Sequence, residues 1–429
     1  MRAMKDSGIE WIGEIPESWE RSRLKYTVSY NDEVLTESTD NEYEFDYIDI
    51  GSVEHGKGIT QFQRMTFDSS PSRARRVVRE NDVIISTVRT YLKAVATIEK
   101  HEKPQIASTG FAVLRAQSAK IVPRFLYYAV LSNAFISMVE AKSTGISYPA
   151  INASEIVSIP FPLPKINEQL AISTYLDRQC AHIDNIIEKT KASIEEYKKL
   201  RQAVITQAVT KGVRGERAMK DSGIEWIGKI PEEWDVYRIA ALYSERKEQG
   251  NDDLPILTVS INTGVSDREL SDDETARVFV RSEDKSKYMK VCPGDLTYNM
   301  MRAWQGAFGA VRVDGMVSPA YVIAQPKREI DSRYMEALLR TPAAKEEMKR
   351  YSHGIADFRL RLYWEKFKCI KICFPSVEEQ REIADYIDQK TAEIDALITK
   401  KEQFPTELDA YKKSLIYEYV TGKKEVPQA

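Results

Sequence analysis

Residues 2–19 read RAMKDSGIEWIGEIPESW, and residues 217–234 read RAMKDSGIEWIGKIPEEW. Only Glu14/Lys229 and Ser18/Glu233 differ, across an offset of 215 residues in a chain of 429. A second repeat closes each half. Residues 164–210 align without a gap on residues 375–421, and the identities include Glu168/Glu379, Gln169/Gln380, Ile172/Ile383, Tyr175/Tyr386, Asp177/Asp388, Asp184/Asp395 and Val209/Val420. Two such repeats are too few and too long for a solenoid. They describe one molecule with two similar halves, able to present nearly the same surface twice about a pseudo-two-fold axis. That suits a partner that also repeats, as DNA does.

The opening repeat carries Trp11, Trp19, Trp226 and Trp234. It reads as a packed segment with a small aromatic core, not as a catalytic loop. The closing repeat predicts a long helix in each half, from about residue 168 to 210 in the first. Leu176, Ile183, Ile187, Ile194, Tyr197 and Val204 fall on a heptad seam there. Ile387, Ile394, Ile398, Leu408 and Leu415 do so in the second copy. About 43 residues make a rod of roughly 65 Å. Neither seam can be buried alone, so each helix is the natural partner of the other, and an antiparallel coiled coil is the easiest connection. Ser376-x-x-Glu379 resembles a capping box at the start of the second helix. Pro405 lies inside that helix, where proline removes a hydrogen bond and costs about 3 kcal/mol, so a kink or short break is predicted at 403–405.

Between the repeats lie about 135 residues per half that differ. Runs such as FDYIDIGSV, NDVIISTVR and TGFAVLRA, or LPILTVSI, GDLTYNMM and PAYVIAQP, predict strands between Gly, Asn and Asp turns. One short helix is predicted in each half, over PRFLYYAVLSNAFISMVEA and SRYMEALLRTPAAKEEMKR, followed by a loop around Gly145 or Gly354. The fold class is mixed α/β: two α/β domains, 1–163 and 214–374, separated by helical segments 164–213 and 375–429.

Net charge is −3, a weak argument against nucleic acid when taken alone. Its distribution is uneven. Residues 32–54 hold nine acidic and no basic side chains, residues 57–124 hold thirteen Lys/Arg against five Asp/Glu, and residues 277–312 hold seven against three. One basic segment is ordinarily a solvated face; two at matching places suggest paired anion-binding surfaces. The four cysteines, Cys180, Cys292, Cys369 and Cys373, fit no disulfide framework and predict a reducing compartment. Cys369 and Cys373 read as buried thiols of a strand rather than a zinc site. No apolar run reaches the ~20 residues of a membrane span. The N-terminus has no apolar signal core, so a cytoplasmic protein without a membrane partner is expected.

Chemistry is hard to find. His55, His101, His182 and His353 are scattered outside metal spacing. No Walker run, GxGxxG, GxSxG or Asn/Asp-Pro-Pro-aromatic motif occurs. The chain reads as non-catalytic, with no cofactor of its own.

Two variable α/β regions, each opening on Gly-Ile-Glu-Trp-Ile-Gly-x-Ile-Pro-x-x-Trp, alternate with two helices that open on Pro-x-x-x-Glu-Gln-x-x-Ile and end near Val-Thr. This constellation resembles the specificity subunit of type I restriction–modification systems over essentially the whole chain. The resemblance implies that each variable region is a target recognition domain reading one half of a split sequence in double-stranded DNA. It implies that the long helices fix the distance between half-sites and dock two methyltransferase subunits, with motor-nuclease subunits outside them. S-adenosylmethionine, ATP and Mg then belong to those partners. The helices serve as a ruler.

Arginine can fork onto guanine, whereas lysine more often positions the backbone. On that basis the DNA-binding candidates in the first half are Arg73, Arg75, Arg76 and Arg79, then Arg89 and Tyr91 after a strand end, and Ser147 and Tyr148 in the Gly145 loop. In the second half they are Lys285, Lys287 and Lys290, Arg302 and Trp304 matching the Arg89 region, and Arg359 and Arg361 after Gly354. Packing competes with stacking for Trp304. Two rivals are an enzyme with an unrecognised site and a coiled-coil scaffold that binds no DNA. Two large, divergent domains argue against a scaffold, which has no use for two different readers.

Overall fold

The computed structural model describes residues 2–251, 253–270, 287–354 and 360–427. The chain divides into two units: Met1–Lys191 with Gln403–Ala429, and Ala192–Glu402. Each long helix is therefore shared between them. The helices span Ile166–Lys211 and Val377–Val420.

Both units are built on one plan. The opening repeat forms a hairpin, Met4–Asp6 with Glu14–Pro16 in the first unit and Met219–Asp221 with Lys229–Pro231 in the second. The tip needs glycine at two places, since Gly8 and Gly13 (φ +62° and +71°) and Gly223 and Gly228 (φ +65° and +72°) are left-handed. Strand Glu20–Arg23 then pairs with Pro160–Leu163, as Asp235–Arg238 does with Lys371–Phe374. A four-stranded antiparallel sheet follows. Its order is 95–97, 83–86, 111–116, 28–30 in the first unit and 308–310, 296–299, 321–326, 243–245 in the second. The first unit adds a mixed sheet of strands 63–66, 44–48, 105–108 and 74–78, in which 44–48 and 105–108 run parallel.

Each single helix expected before the Gly loop is two. Pro123–Leu131 gives way to Asn133–Lys142 at Ser132, and Ser332–Leu339 to Pro342–Tyr351 at Thr341. The Ser132 and Thr341 hydroxyls accept from the amides of Phe135 and Ala344 (3.4 and 3.3 Å), capping the second helix of each pair. Apolar periodicity continues through the break, which is why periodicity alone missed it. The strand Lys371–Phe374 holds only one of the two thiols expected there: Cys373 is buried, while Cys369 precedes the strand and is half-exposed.

The two repeats are fastened together within each unit. Trp19 Nε1 donates to Glu168 Oε2 (2.8 Å), and Arg2 reaches the other oxygen of Glu168 (2.5 Å) from above the indole. In the second unit Trp234 donates to Glu379 (3.1 Å) and Arg217 pairs with that carboxylate. Glu379 is thus occupied and closes no capping box; only the Ser376 half forms, accepting from its amide at 3.3 Å. The adjacent glutamines are fully buried. Gln169 donates to Pro164 O and Lys120 O and accepts from Val122 N (2.8, 3.1 and 2.8 Å), and Gln380 donates to Pro375 O and accepts from Asp331 N (2.9 and 3.0 Å). The Glu-Gln pair therefore locks the start of each long helix to the opening repeat and to a short helix of the α/β region.

The helices pair antiparallel. In the first unit Tyr175 meets Tyr419 and Asp184 meets Lys412 (2.7 Å); in the second Arg201 meets Asp395 (2.9 Å). The seam is less exclusive than a coiled coil predicts. Leu176, Ile183 and Leu415, with Ile187 and Leu408 at their edge, join the core of the first unit beside Trp19 and Phe125. Ile387 joins that of the second beside Trp234 and Tyr334. Ile194, Ile394 and Ile398, flanked by Tyr197 and Val204, form a cluster of helix residues alone. The α/β regions thus supply most of the burial that neither helix could find by itself.

The second helix runs through Pro405 without the break expected there. Proline still leaves the carbonyl one turn earlier without its amide partner. Pro405→Ala is expected to stabilise the chain by up to about 3 kcal/mol, read as a higher urea midpoint at unchanged slope. An unchanged midpoint would show that the neighbouring turn already absorbs the cost.

Candidate nucleic-acid interface

One end of each four-stranded sheet carries two converging loops. In the first unit strand Val83–Ser86 leads into Thr87, whose amide donates to Gly110 O and whose carbonyl accepts from Ile151 N (both 2.8 Å). This ties residues 87–93 to residues 143–150. Thr144 and Ala150 close the second loop by exchanging two backbone hydrogen bonds of 2.9 Å, and Thr90 Oγ1 donates to Ser143 Oγ (2.9 Å). Arg89 and Lys93, on either side of a 3-10 turn, both have left-handed backbones (φ 51° and 52°). For non-glycine residues that costs of order 1–3 kcal/mol each, and it persists where the surroundings over-determine it. The Arg89 guanidinium lies 5.2 Å from the Tyr148 ring centre. Ile146, Tyr148 and Tyr91 face solvent, Ile146 completely.

The second unit repeats the frame with other side chains. Leu362 N donates to Met300 O (2.8 Å) as Ile151 does to Thr87, and His353 and Arg361 exchange backbone hydrogen bonds (3.0 Å) as Thr144 and Ala150 do. Arg302 starts the 3-10 turn Ala303–Gln305 in the place of Arg89, with an ordinary φ of −134°. Trp304 packs on the core with Lys349 over its ring (5.2 Å), and its buried indole N–H has no hydrogen-bond partner among the described residues. It is placed for packing rather than stacking.

The structure brings together Arg89, Tyr91, Ser147 and Tyr148, and likewise Arg302 and Arg361. Lys285 and Arg359 lie outside the described residues. Lys287 is exposed, and Lys290 is paired with Glu248 (2.8 Å). The remaining arginines are less available than their spacing suggested, because the acidic run folds onto the basic one. Arg73 pairs with Asp49 (2.9 Å), Arg75 with Glu37 (3.9 Å), Arg79 and Arg115 with Glu33 (2.7 and 2.5 Å), and Arg64 with Asp46 (3.1 Å). The Arg64 hydrogen bond holds the buried Asp46 carboxyl below its ordinary range. The Arg76 side chain has no hydrogen-bond partner among the described residues, and burial lowers its guanidinium below the usual value. Opposite charge in neighbouring segments signalled this pairing, but only strand register could assign it across separations of 18 (Arg64 to Asp46) to 82 residues (Arg115 to Glu33).

Sequence reasoning did not single out Lys93, Ile146 or Met301, all at the two loop ends. Among the described residues no three His, Cys, Asp or Glu side chains gather as a metal site would, and no helix is long and apolar enough to cross a membrane.

A family model of the type I restriction modification DNA specificity domain matches residues 16–196. The chain is 25% identical over 439 aligned residues to the type I restriction enzyme MjaVIII specificity subunit of Methanocaldococcus jannaschii, covering 96% of this chain and 94% of that one. It is 24% identical over 319 residues to the type I restriction enzyme EcoBI specificity subunit of Escherichia coli, covering 69% and 64%. Its fold resembles that of a chain solved in work on complex assembly and conformational transition of the type I R-M system (TM-score 0.71, 19% identity, 96% and 99% covered). It also resembles that of the HsdS subunit from Thermoanaerobacter tengcongensis (TM-score 0.59, 20% identity, 96% and 98% covered).

Proposed function

We propose that this chain, which belongs to the specificity subunits of type I restriction–modification systems, reads an asymmetric, bipartite DNA sequence, one half-site with each unit. One observation carries the reading. The frame that holds the two loops is the same in both units, while the side chains it presents differ: Arg89, Ile146 and Tyr148 in one, Arg302, Met301 and Arg361 in the other. A repeated frame with divergent tips suits two different half-sites. Arginine and tyrosine supply base-edge and stacking contacts, and the lysines nearby position the backbone. The paired helices hold the half-sites a set distance apart and dock two modification subunits, with motor-nuclease subunits outside. Those partners methylate adenine with S-adenosylmethionine and cleave with ATP and Mg, in the cytoplasm. This chain is non-catalytic and supplies the address.

The test is a modified-base map of a host expressing the chain with its methyltransferase partner. Adenine methylation at one split, asymmetric motif is the expected result, and exchanging residues 20–155 should change one half of it only. A folded, bound partner that methylates nothing would overturn the reading. Within this scheme Arg89→Ala should weaken binding by about 1–3 kcal/mol and relax one half-site, leaving the other as selective as before. Equal relaxation of both half-sites would displace Arg89 from base readout.

A further inference from the structure

The second unit contains a cavity of about 460 Å³ between the helix pair, at Ile205 and Ile387, and the recognition region. Five cations line it, and they fall into two groups. Arg201 and Arg333 are neutralised, the first by Asp395 (2.9 Å), the second by Asp331, Asp385 and Asp388 (2.9, 2.8 and 3.0 Å). Among the described residues, Arg312, Arg340 and Lys345 have a single carboxylate among them, Glu336. Arg340 is committed to Glu336 (3.4 Å) and to the carbonyls of Phe308, Ile261 and Asn262 (3.1, 2.9 and 2.6 Å). Arg312 and Lys345 have no hydrogen bond or ion pair among the described residues. Burial and the neighbouring Arg340 push the Lys345 ammonium below its ordinary value, and burial pushes the Glu336 carboxyl above its own. Among the described residues this end of the cavity therefore carries positive charge without a counter-ion, on the half-buried Lys345 and the exposed Arg312.

That charge is not required by the fold. Glu336, Arg340 and Lys345 stand where the first unit has Tyr127, Leu131 and Ile136, on helix pairs that both break at a capping Ser132 or Thr341. The first-unit residues are all buried in its apolar core. An apolar triple is thus available to this architecture, and apolar replacements of half-buried charges are often neutral or stabilising. Two glycines make room for the charged ends. A side chain at Gly306 would collide with the Lys345 ammonium, and one at Gly264 with Glu336 and Arg340.

We infer that this cavity binds an oxyanion of the phosphate class, held by Arg312 and Lys345 beside Arg340. Such a ligand would supply the missing counter-charge through charge-assisted hydrogen bonds and fits the space several times over. The phosphate can come from a free ion or a small phosphorylated compound, or from the DNA backbone.

The test compares the full-length chain with the double variant Arg312→Met, Lys345→Ile; isoleucine is the residue that the first unit uses at that place. Thermal unfolding is followed without DNA as inorganic phosphate replaces chloride at constant ionic strength, and DNA affinity is followed against salt. In chloride the variant should melt at or above the parent, which establishes that it folds. A phosphate-dependent rise in the parent, weakened about tenfold or more in the variant, places a free phosphate in the cavity. No rise in either, with a salt slope lower by about two in the variant and unchanged half-site preference, places a DNA phosphate there. Equal rises in parent and variant, or neither effect, overturn the inference. The phosphate arm does not depend on DNA reading, so it can succeed or fail independently of the proposed function.

Discussion

Four residues inserted into each long helix, after Lys191 and after Glu402, are expected to lengthen the gap between half-sites by about two base pairs and to leave both half-site sequences unchanged. Both helices are continuous across these points, where each passes from one unit to the other. Four residues add about 6 Å of helix, and one base pair occupies about 3.4 Å. The loops that would read bases are far from the insertions in sequence and are fastened to their own sheets, by Thr87 in one unit and Met300 in the other. Binding to the parental target should fall towards the non-specific level, roughly 10³-fold or more, because only one half-site can then be engaged in register. A modified-base map of cells carrying the doubly extended chain gives the answer directly. The parental spacing at undiminished occupancy would refute the ruler. Loss of all methylation by a chain that still folds would place the length requirement in the partners.

Glu379→Ala should destabilise the second unit by about 3–5 kcal/mol, the usual cost of removing one partner from a buried charge pair. Glu379 and Arg217 have side chains only 4% and 12% exposed, and the carboxylate also receives the Trp234 indole N–H. Without it, the Trp234 indole N–H loses its acceptor, and the buried Arg217 guanidinium keeps only the Lys211 carbonyl (3.1 Å) and a longer approach to the exposed Glu233 (3.9 Å). Glu168→Ala removes the same contacts from Trp19 and Arg2 in the first unit, but there the Glu168 and Arg2 side chains are 32% and 21% exposed. Water can replace part of what is lost, so a smaller effect of about 1–2 kcal/mol is expected, between the surface and buried cases. Urea unfolding of the two variants, with hydrogen exchange over residues 2–19 and 217–234 to assign the loss, separates them. Equal effects would mean that the clamp works by geometry rather than by compensating a buried charge.

Much of the plan was legible in the residues. The two repeats specify two halves because identical local interactions follow from identical local sequence. Gly8 and Gly13 must turn as Gly223 and Gly228 do, and the heptad positions must find apolar surface. The correspondence of Arg89 with Arg302 was also readable, since both follow a strand with the same acidic start, Asp82 and Asp295. Three features were not readable. Ser132 and Thr341 break a run whose periodicity continues unbroken, because capping is decided by one hydroxyl and not by a pattern. Glu379 was expected to cap its own helix and instead serves Arg217 and Trp234, more than 140 residues away. The basic cluster at 73–79 was expected to face DNA, yet most of it is paired with residues 33–49.

Sequence alone therefore settled the duplication and the long helices, which follow from short-range rules of turn chemistry and periodicity. Tertiary structure decided which charges are spent on one another and which remain. Arg73 is neutralised, while among the described residues Arg312 and Lys345 are not. Coulombic pairing acts over a few ångströms in space, and the distance between two residues along the chain does not set it until strand register and helix packing have brought them together.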